Sequence, residues 1–186
     1  MVSKSDNPKR KLAYTWEMID VGEGNNPVWV GINTGLPNRI IKIALENHLI
    51  TELANQYNQV KSEVKFGQDG KSRIDFVLTG DESQPPIYLE VKNTTLAENN
   101  IAMFPDTETT RGQKHLHELM ALSKDVKAVM LYFINRGDCH RFSVGRTYDP
   151  TYGKLFDEAV NQGVMILPCR FEITPQGINY LGMAKK

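Results

Sequence analysis

Alternating apolar and polar residues, separated by short turn-forming segments, dominate the first half of the chain. Residues 14–21 and 28–32 are rich in β-branched and aromatic side chains and lie on either side of a Gly- and Asn-rich segment, which is typical of a hairpin. Three further strand-like runs follow, with a turn over residues 67–70 joining the first two: 60–66, 73–78 and 87–92. Because consecutive strands with short connections tend to pair, we expect an antiparallel meander.

Helical spacing of apolar residues marks three longer segments. These predicted helices cover residues 39–48, 110–123 and 150–161, with Gly163 ending the last one. A short helical turn is expected at 51–56, and residues 93–108 are expected to be irregular. Apolar runs predict further strands at 128–134, 141–144, 164–173 and 178–181. This order of elements predicts an α/β fold, a mixed β-sheet flanked by helices, in which strand 128–134 is added in parallel.

The composition excludes several classes of protein. The 186 residues include 22 basic and 22 acidic side chains, so a zero net charge excludes a binder held mainly by bulk charge. The longest apolar run, 128–134, is too short to span a bilayer, and residues 1–11 contain no apolar segment of a secretory signal. The two cysteines have no metal-binding spacing. We therefore expect a cytoplasmic protein with no membrane partner.

Charged residues interrupt two of the predicted apolar strands. Asp75 lies in one strand, and Glu90 and Lys92 lie in the next, where residues two apart point to the same face. If these strands pair, Asp75 projects beside Glu90, and the two carboxylates with the ammonium form a site suited to Mg²⁺ or Mn²⁺. Such an ion lowers the pKa of a bound water and polarises a phosphodiester. The alternative is a solvated strand face with a surface ion pair, although charges inside apolar strands are costly without partners.

Two helix starts carry candidate phosphate-binding residues. Arg111 and His115 are four residues apart on one face of the helix predicted over 110–123. Free backbone N–H groups and the helix dipole favour an anion at such a position. A solvated, capped helix start is the alternative. Arg39, at the start of the first predicted helix, is a further candidate for a phosphate contact, or it pairs with an acid.

A basic run close to the N-terminus precedes two alternating aromatic residues. Lys9, Arg10 and Lys11 are followed by Tyr14 and Trp16. The cations are candidates for contacts with a nucleic-acid backbone, and the rings are candidates for stacking on bases. The alternative is a flexible charged tail that leads into a core strand.

Several blocks of the sequence resemble a known family. The blocks INTGLPNR, SRIDFVL, YLEVKNTTLAE and FPDTETTRGQKHLHELM are similar to those of the bacterial and archaeal sugar fermentation stimulation protein A family. The similarity extends over essentially the whole chain. The combination of these blocks is far more specific than the acid and lysine residues alone.

The resemblance implies an N-terminal OB-like domain followed by a PD-(D/E)XK restriction-endonuclease-like core. The family is understood to bind DNA non-specifically and to regulate the use of sugars such as maltose, and its fold suggests nuclease activity. On the matching positions of this chain, Asp75 and Glu90 would be metal ligands and Lys92 the catalytic-type lysine. Supporting positions in the matching blocks are Glu63, Gln113 and Lys114.

Two features depart from the family pattern. Family members usually begin several tens of residues earlier, so residues 1–33 are interpreted as the remaining hairpin of the OB-like domain and residues 34–186 as the nuclease-like domain. Many relatives carry Glu where this chain has Ile43. Glu46, three residues later on the predicted helix, is the candidate replacement ligand. Without such a ligand the site has one fewer charge and a weaker affinity for metal.

Together these features predict a non-specific DNA-binding protein with a Mg²⁺- or Mn²⁺-dependent nuclease-type site. The alternative is a catalytically inactive nuclease-fold module that acts only through DNA or protein binding. Phosphate contacts should dominate DNA binding, because the sequence contains no helix-turn-helix or zinc-finger pattern. A homodimer is compatible with the sequence but is not required by it.

Overall fold

The computed structural model describes residues 1–66, 72–81 and 83–185, so the turn predicted at 67–70 lies outside the described residues. Within these ranges the chain forms three helices: α1 (Leu36–Glu46), α2 (Thr110–Leu122) and α3 (Pro150–Asn161). The strands, in chain order, are β1 (Val2–Lys4), β2 (Tyr14–Trp16), β3 (Met18–Asp20), β4 (Trp29–Gly31), β5 (Gln59–Phe66), β6 (Ser72–Thr79), β7 (Ile87–Thr94), β8 (Leu96–Glu98), β9 (Ile101–Phe104), β10 (Lys127–Ile134), β11 (Arg141–Val144), β12 (Met165–Thr174) and β13 (Gly177–Met183).

The central sheet has six strands in the spatial order β13-β12-β10-β7-β6-β5. Strands β5, β6 and β7 form the predicted antiparallel meander. Strand β10 lies parallel to both β7 and β12, and β13 completes the other edge antiparallel to β12. The predicted fold class is therefore confirmed as α/β with a mixed sheet flanked by helices.

Apolar residues on both faces of this sheet explain where the helices lie. Ile41 and Leu45 of α1 are fully buried and pack in the same core layer as Leu89 of β7. Leu116 of α2 and Tyr152 of α3 are fully buried in the second layer. Since alternate residues of a strand point to opposite faces, the central strands contribute to both layers. Strand β10 is buried almost throughout, as expected for a parallel strand covered on both sides.

A short hairpin occupies part of the segment 93–108, so the expectation of irregular structure there is wrong. Strands β8 and β9 pair antiparallel around Asn99 and Asn100, which have positive φ angles of 49° and 62°. Tight hairpin turns need positive φ, and Asn tolerates it better than most residues. The Asn-Asn pair is therefore the sequence signal for this turn. At 51–56, where a short helical turn is expected, the chain forms consecutive turns, with a hydrogen bond from the Gln56 N–H to the Leu53 carbonyl at 3.0 Å.

The N-terminal residues form strands, not only a charged tail. The hairpin predicted from residues 14–32 is present as β3 and β4. Its first predicted strand is interrupted at Glu17, however, and β2 pairs with β1, which places Val2 opposite Trp16 and Lys4 opposite Tyr14. Strand β1 is three residues long and exposed throughout. It therefore has no buried face and no apolar alternation that would reveal it in the sequence.

A close backbone approach joins the β3–β4 hairpin to the central sheet. The Gly31 N–H donates to the carbonyl of Asn135 at 3.0 Å, and Asn135 Nδ2 donates to the Gly31 carbonyl at 2.8 Å. A side chain at position 31 would overlap with the Asn135 amide, which is fully buried. Glycine is required here because the buried Asn135 side chain occupies the space that a Cβ would need.

Two further predictions concern the membrane and the cysteines. Within the described ranges, no helix combines the length and the apolar character needed to cross a membrane. Cys139 and Cys169 are both buried free thiols.

Candidate active site

Asp75 lies where two central strands separate. The ladder between β6 and β7 ends at the pair Phe76–Leu89, and the next pair in the same register would be Asp75 and Glu90. Instead, Asp75 Oδ2 accepts a hydrogen bond from the Val91 backbone N–H at 2.7 Å. The aspartate carboxylate therefore replaces a strand carbonyl as the partner of a β7 amide. This contact places an acid in the gap between the two strands.

Glu90 and Lys92 form the buried part of the same cluster on β7. Both side chains point to the face covered by α2, whereas Val91 belongs to the layer that contains α1. Lys92 Nζ donates to Glu90 Oε1 at 2.8 Å, and the two side chains are only 11% and 5% exposed. His115 Nδ1 contacts the same Glu90 oxygen and lies 2.8 Å from Lys92 Nζ. Glu90 thus has two nitrogen partners in a nearly water-free environment.

The two acids have opposite pKa shifts. Burial raises the pKa of Asp75 to about 6, with a further contribution from the negative charge of Glu90, while the bonds from Val91 and Asn38 act in the opposite direction. Burial alone would also raise the pKa of Glu90, but hydrogen bonds and charges from His115 and Lys92 outweigh it and lower the pKa. Glu90 is therefore the anion of the pair, and Asp75 is the acid that exchanges a proton near neutral pH.

Helix α2 delivers His115 to this cluster. The Thr109 side chain caps the helix by accepting from the Gly112 N–H at 3.0 Å, and Asp149 accepts from the Thr109 N–H at 3.0 Å. Arg111 Nε lies 3.4 Å from His115 Nε2, which confirms that these residues share a helix face. His115 itself is only 9% exposed and is directed at Glu90. The expectation of a surface phosphate contact at His115 is therefore not met in this structure, whereas Arg111 remains exposed.

Asn38 also belongs to the site, although the sequence pattern did not predict its contact with Asp75. Its Nδ2 donates to Asp75 Oδ1 at 2.8 Å, so the Asp75 carboxylate is held from the sheet and from α1 at once. The two residues are 37 positions apart in the chain. In the sequence, Asn38 is as consistent with a residue at a helix start as with a partner of Asp75. Only the packing of α1 on the sheet reveals the contact.

Glu46 does not lie with Asp75 and Glu90 in the cluster. It lies eight residues beyond Asn38, which corresponds to about 12 Å along a helix. Its side chain is 48% exposed and pairs with Lys42 at 3.7 Å. Ile43, where many relatives carry Glu, is itself 53% exposed. The face of α1 that carries these residues points to solvent, so the structure does not place Glu46 as a replacement ligand.

The three supporting positions lie apart from the cluster. Glu63 lies between two residues of β5 that pair with β6, and it has a positive φ of 55°. Its exposed side chain pairs with Arg73 at 3.2 Å. Gln113 Nε2 donates to both carboxylate oxygens of Asp149, at 3.1 and 3.0 Å. Lys114 is 62% exposed and pairs with a glutamate of its own helix.

The remaining predicted nucleic-acid contacts lie on the surface. Lys9, Arg10, Lys11 and Arg39 are all exposed. Glu17 has a lowered pKa, mainly because it accepts hydrogen bonds from Ser3 and Asn33, and the charges of Arg39 and Arg10 contribute. Arg10 and Arg39 are thus brought to the same side of the molecule, near the start of α1.

A divalent ion would find two carboxylates at this site. Among the described residues, no group of three or more His, Cys, Asp or Glu side chains is arranged to hold a metal. Mg²⁺ commonly binds through one or two carboxylates and keeps several waters, so Asp75 and Glu90 fit such an ion. They do not form a closed cage, and weak binding in the absence of substrate is expected.

The six-stranded mixed sheet, which is flanked by helices and carries the acid–lysine cluster on β6 and β7, makes this chain an α/β protein. The family model described as "Sugar fermentation stimulation protein RE domain" matches residues 35–177. The chain therefore belongs to the sugar fermentation stimulation protein family.

Relatives and a solved structure agree with this assignment. The chain is 67% identical to a sugar fermentation stimulation protein homolog of Crocosphaera subtropica and 62% identical to one of Rippkaea orientalis. These matches cover 98% and 99% of this chain, and 75% and 74% of the relatives. The structure of Pyrococcus furiosus SfsA in complex with Ca²⁺ matches with a TM-score of 0.85 and 26% identity, over 99% of this chain and 75% of that one. The chain thus spans about three quarters of the length of these proteins.

Proposed function

We propose that this protein binds DNA with low sequence specificity and cleaves phosphodiester bonds with Mg²⁺ or Mn²⁺ at the Asp75–Glu90–Lys92 cluster. The observation that carries the proposal is the bond from the Val91 amide to Asp75, which places this carboxylate next to the strand segment that carries the buried Glu90–Lys92 ion pair. The Ca²⁺ complex of the Pyrococcus furiosus protein supports a divalent-ion site in the family. The family name suggests a role in sugar use, which is the proposed biological context.

The buried charges are hard to explain by stability alone. Taking two charged groups out of water costs several kcal/mol each, and a buried ion pair rarely repays more than that cost. A well-packed apolar pair at positions 90 and 92 would serve the fold as well. Clusters of titratable residues with opposite pKa shifts are typical of functional sites.

Each residue has a defined role in the proposed reaction. A divalent ion would supply a bound water of lowered pKa and polarise the phosphate. Asp75 and Glu90 would hold the ion, and Asp75 would have to release its proton before it could bind, because its pKa is raised to about 6. Lys92 would move its ammonium from Glu90 to the negative charge that develops on the phosphate. His115 would keep Glu90 oriented through its contact with the Glu90 carboxylate.

Exposed cations would provide the DNA contacts. Arg39 follows Asn38 on α1, and Arg111 lies one helical turn before His115, so both flank the acid–lysine cluster. Lys9, Arg10 and Lys11 extend the basic surface toward the N-terminal strands. Contacts of this kind neutralise phosphates and do not read bases, which fits low specificity.

One observation favours a second candidate function. Lys92 and His115 both occupy the Glu90 oxygen, and the described residues offer two carboxylates where many metal sites use three. A site so short of ligands is also what a nuclease fold without activity would contain. In that case the domain acts by binding DNA or a protein.

Cleavage of labelled single- and double-stranded DNA in Mg²⁺, Mn²⁺ or EDTA tests the proposal. We expect metal-dependent products that fall at least about 100-fold in Asp75→Ala and Lys92→Ala, since these remove groups aimed at the reacting phosphate. Glu46→Ala is the matched control, because it removes an exposed acid outside the cluster, and it should cleave like the wild type. Intact DNA in every lane together with a retarded band would favour the binding-only function.

A further inference from the structure

Both oxygens of the Asp75 carboxylate are engaged by donors from different parts of the fold. Oδ2 accepts from the Val91 N–H of β7 at 2.7 Å, and Oδ1 accepts from Asn38 Nδ2 of α1 at 2.8 Å. The strand that carries Asp75 has already left the β6–β7 ladder at this point. The backbone ladder therefore does not fix the direction of the carboxylate, and the two hydrogen bonds must do so.

The start of α1 is itself held firmly. Asn33 Oδ1 accepts from the Gly35 N–H at 3.0 Å, and Asn33 Nδ2 donates to Glu17 at 2.8 Å. Further along the helix, Ile41 and Leu45 are fully buried against the sheet. Asn38 lies between these two anchors, so its amide has little freedom to move away from Asp75.

From this geometry we propose that Asn38 is a positioning residue that holds the Asp75 carboxylate in the gap between β6 and β7, against the Val91 amide. It acts as a hydrogen-bond donor and is not itself a metal ligand. The proposal rests on the proposed function in that the positioned carboxylate is the one offered to a divalent ion. Residues that orient a ligating carboxylate in this way typically change metal affinity by 10–100-fold when they are removed.

A measurement without metal tests the positioning directly. The Val91 N–H is bonded to Asp75, so its hydrogen exchange in the metal-free protein reports how well that carboxylate is held. We expect Asn38→Ala to speed exchange of the Val91 amide about tenfold relative to the amides of β10. Asn47→Ala is the matched control, since Asn47 lies at the end of the same helix and its side chain donates to the Ile43 carbonyl. It should leave Val91 exchange unchanged.

Calorimetric titration with Ca²⁺ then tests the consequence for metal. Asn38→Ala should weaken Ca²⁺ binding at least tenfold, and Asn47→Ala should not. Asn38→Asp separates the two roles of the side chain. If Asn38 only donates to Asp75, the new carboxylate repels it and Ca²⁺ affinity falls. Tighter Ca²⁺ binding by Asn38→Asp would instead make position 38 a ligand position and overturn the proposal.

The two readouts distinguish failure of this proposal from failure of the proposed function. Unchanged Val91 exchange in Asn38→Ala would overturn the positioning role whatever the metal results. No Ca²⁺, Mg²⁺ or Mn²⁺ binding by the wild type, with faster Val91 exchange in Asn38→Ala, would remove the metal site and retain the positioning role. Uniformly faster exchange across β10 and Val91 would show only a loss of global stability, which also contradicts a specific positioning role.

Discussion

The cluster around Glu90 and the basic segment Lys9–Lys11 are both made of charged residues, but they have opposite surroundings. Glu90 and Lys92 are 5% and 11% exposed, and each has a partner within 2.8 Å. Lys9, Arg10 and Lys11 are all exposed. The first group lies in an apolar strand and the second in a polar run. The comparison shows that the apolar context of a charge, more than the charge itself, indicates whether tertiary structure will enclose it.

The energetic reason is desolvation. A charge that leaves water needs a partner at close range, and removing that partner is costly. A charge that stays in water interacts weakly with its neighbours and is screened by salt. Substitutions in the cluster around Glu90 should therefore mainly lower the stability of the fold. Substitutions in the basic segment Lys9–Lys11 should mainly change salt-dependent binding.

The largest expected effect is at Glu90. Glu90→Ala leaves the Lys92 ammonium buried without its carboxylate, and we expect the free energy of unfolding to fall by about 3–5 kcal/mol. Urea denaturation at neutral pH measures this. Glu46→Ala, which removes an exposed acid, should change stability by less than about 0.5 kcal/mol. A loss below about 1 kcal/mol for Glu90→Ala would mean that water reaches Lys92 and that the cluster is not closed.

The junction between the N-terminal hairpin and the sheet should be the next most sensitive region. Gly31→Ala forces the buried Asn135 amide aside, with loss of its bonds to Gly31 and Asn93, and should destabilise the protein by about 1–3 kcal/mol. Gly35→Ala is the matched control. Its new methyl group would meet only Asn33, at an ordinary 3.5 Å. Equal thermal midpoints for the two variants would contradict this account of the junction.

The pKa of Asp75 predicts how metal binding depends on pH. Because the folded-state pKa is raised to about 6, protonated Asp75 favours folding below about pH 4, and this contribution is lost as the pH rises through about 6. A divalent ion needs the ionised form. Ca²⁺ affinity should therefore rise about tenfold between pH 5 and 7 and level off above about pH 7, an effect of about 1.4 kcal/mol.

Calorimetry across this pH range checks the prediction, with Asp75→Asn as the variant that should lose the step. Glu90 has a lowered pKa and adds no step in the same interval. A Ca²⁺ affinity that is constant between pH 5 and 7 would show that Asp75 is already ionised at pH 5 and that burial does not raise its pKa.

The smallest effect on stability is expected in the basic segment. Replacing Lys9, Arg10 and Lys11 together by Gln should change the free energy of unfolding by less than about 0.5 kcal/mol. If these residues contact phosphates, the slope of log affinity for DNA against log salt should become shallower by about 2–3. Replacement of the exposed Lys124 and Lys154 by Gln is the control on other surfaces. An unchanged slope would remove the segment from the DNA contacts.

Local patterns predicted most elements well, and the exceptions have specific causes. The meander and the parallel strand β10 follow from strong apolar periodicity, because a buried strand or helix face must be apolar wherever the fold places it. Strand β1 is short and wholly exposed, so it leaves no such pattern. The β8–β9 hairpin is also short, and only its Asn-Asn turn marks it.

In the candidate site too, some residues were predicted from the sequence and others were not. Sequence alone brought Asp75, Glu90 and Lys92 under consideration, because charges in apolar strands demand partners. Helical spacing made His115 a candidate phosphate contact beside Arg111, and the family resemblance made Glu46 a candidate metal ligand. Neither indication shows what the helix face contacts in the fold. In the structure, α2 places His115 in contact with Glu90, and Glu46 lies on the solvent-exposed face of α1.

The sequence by itself determined the mixed α/β fold, the family and the three residues at the centre of the proposed chemistry. Only the tertiary structure decided which partners these residues have. Asn38 meets Asp75 across 37 residues because α1 packs on the sheet where β6 leaves β7. Periodicity is a local property that the chain carries within each element. Contacts between elements depend on how whole faces pack together, and no single segment contains that information.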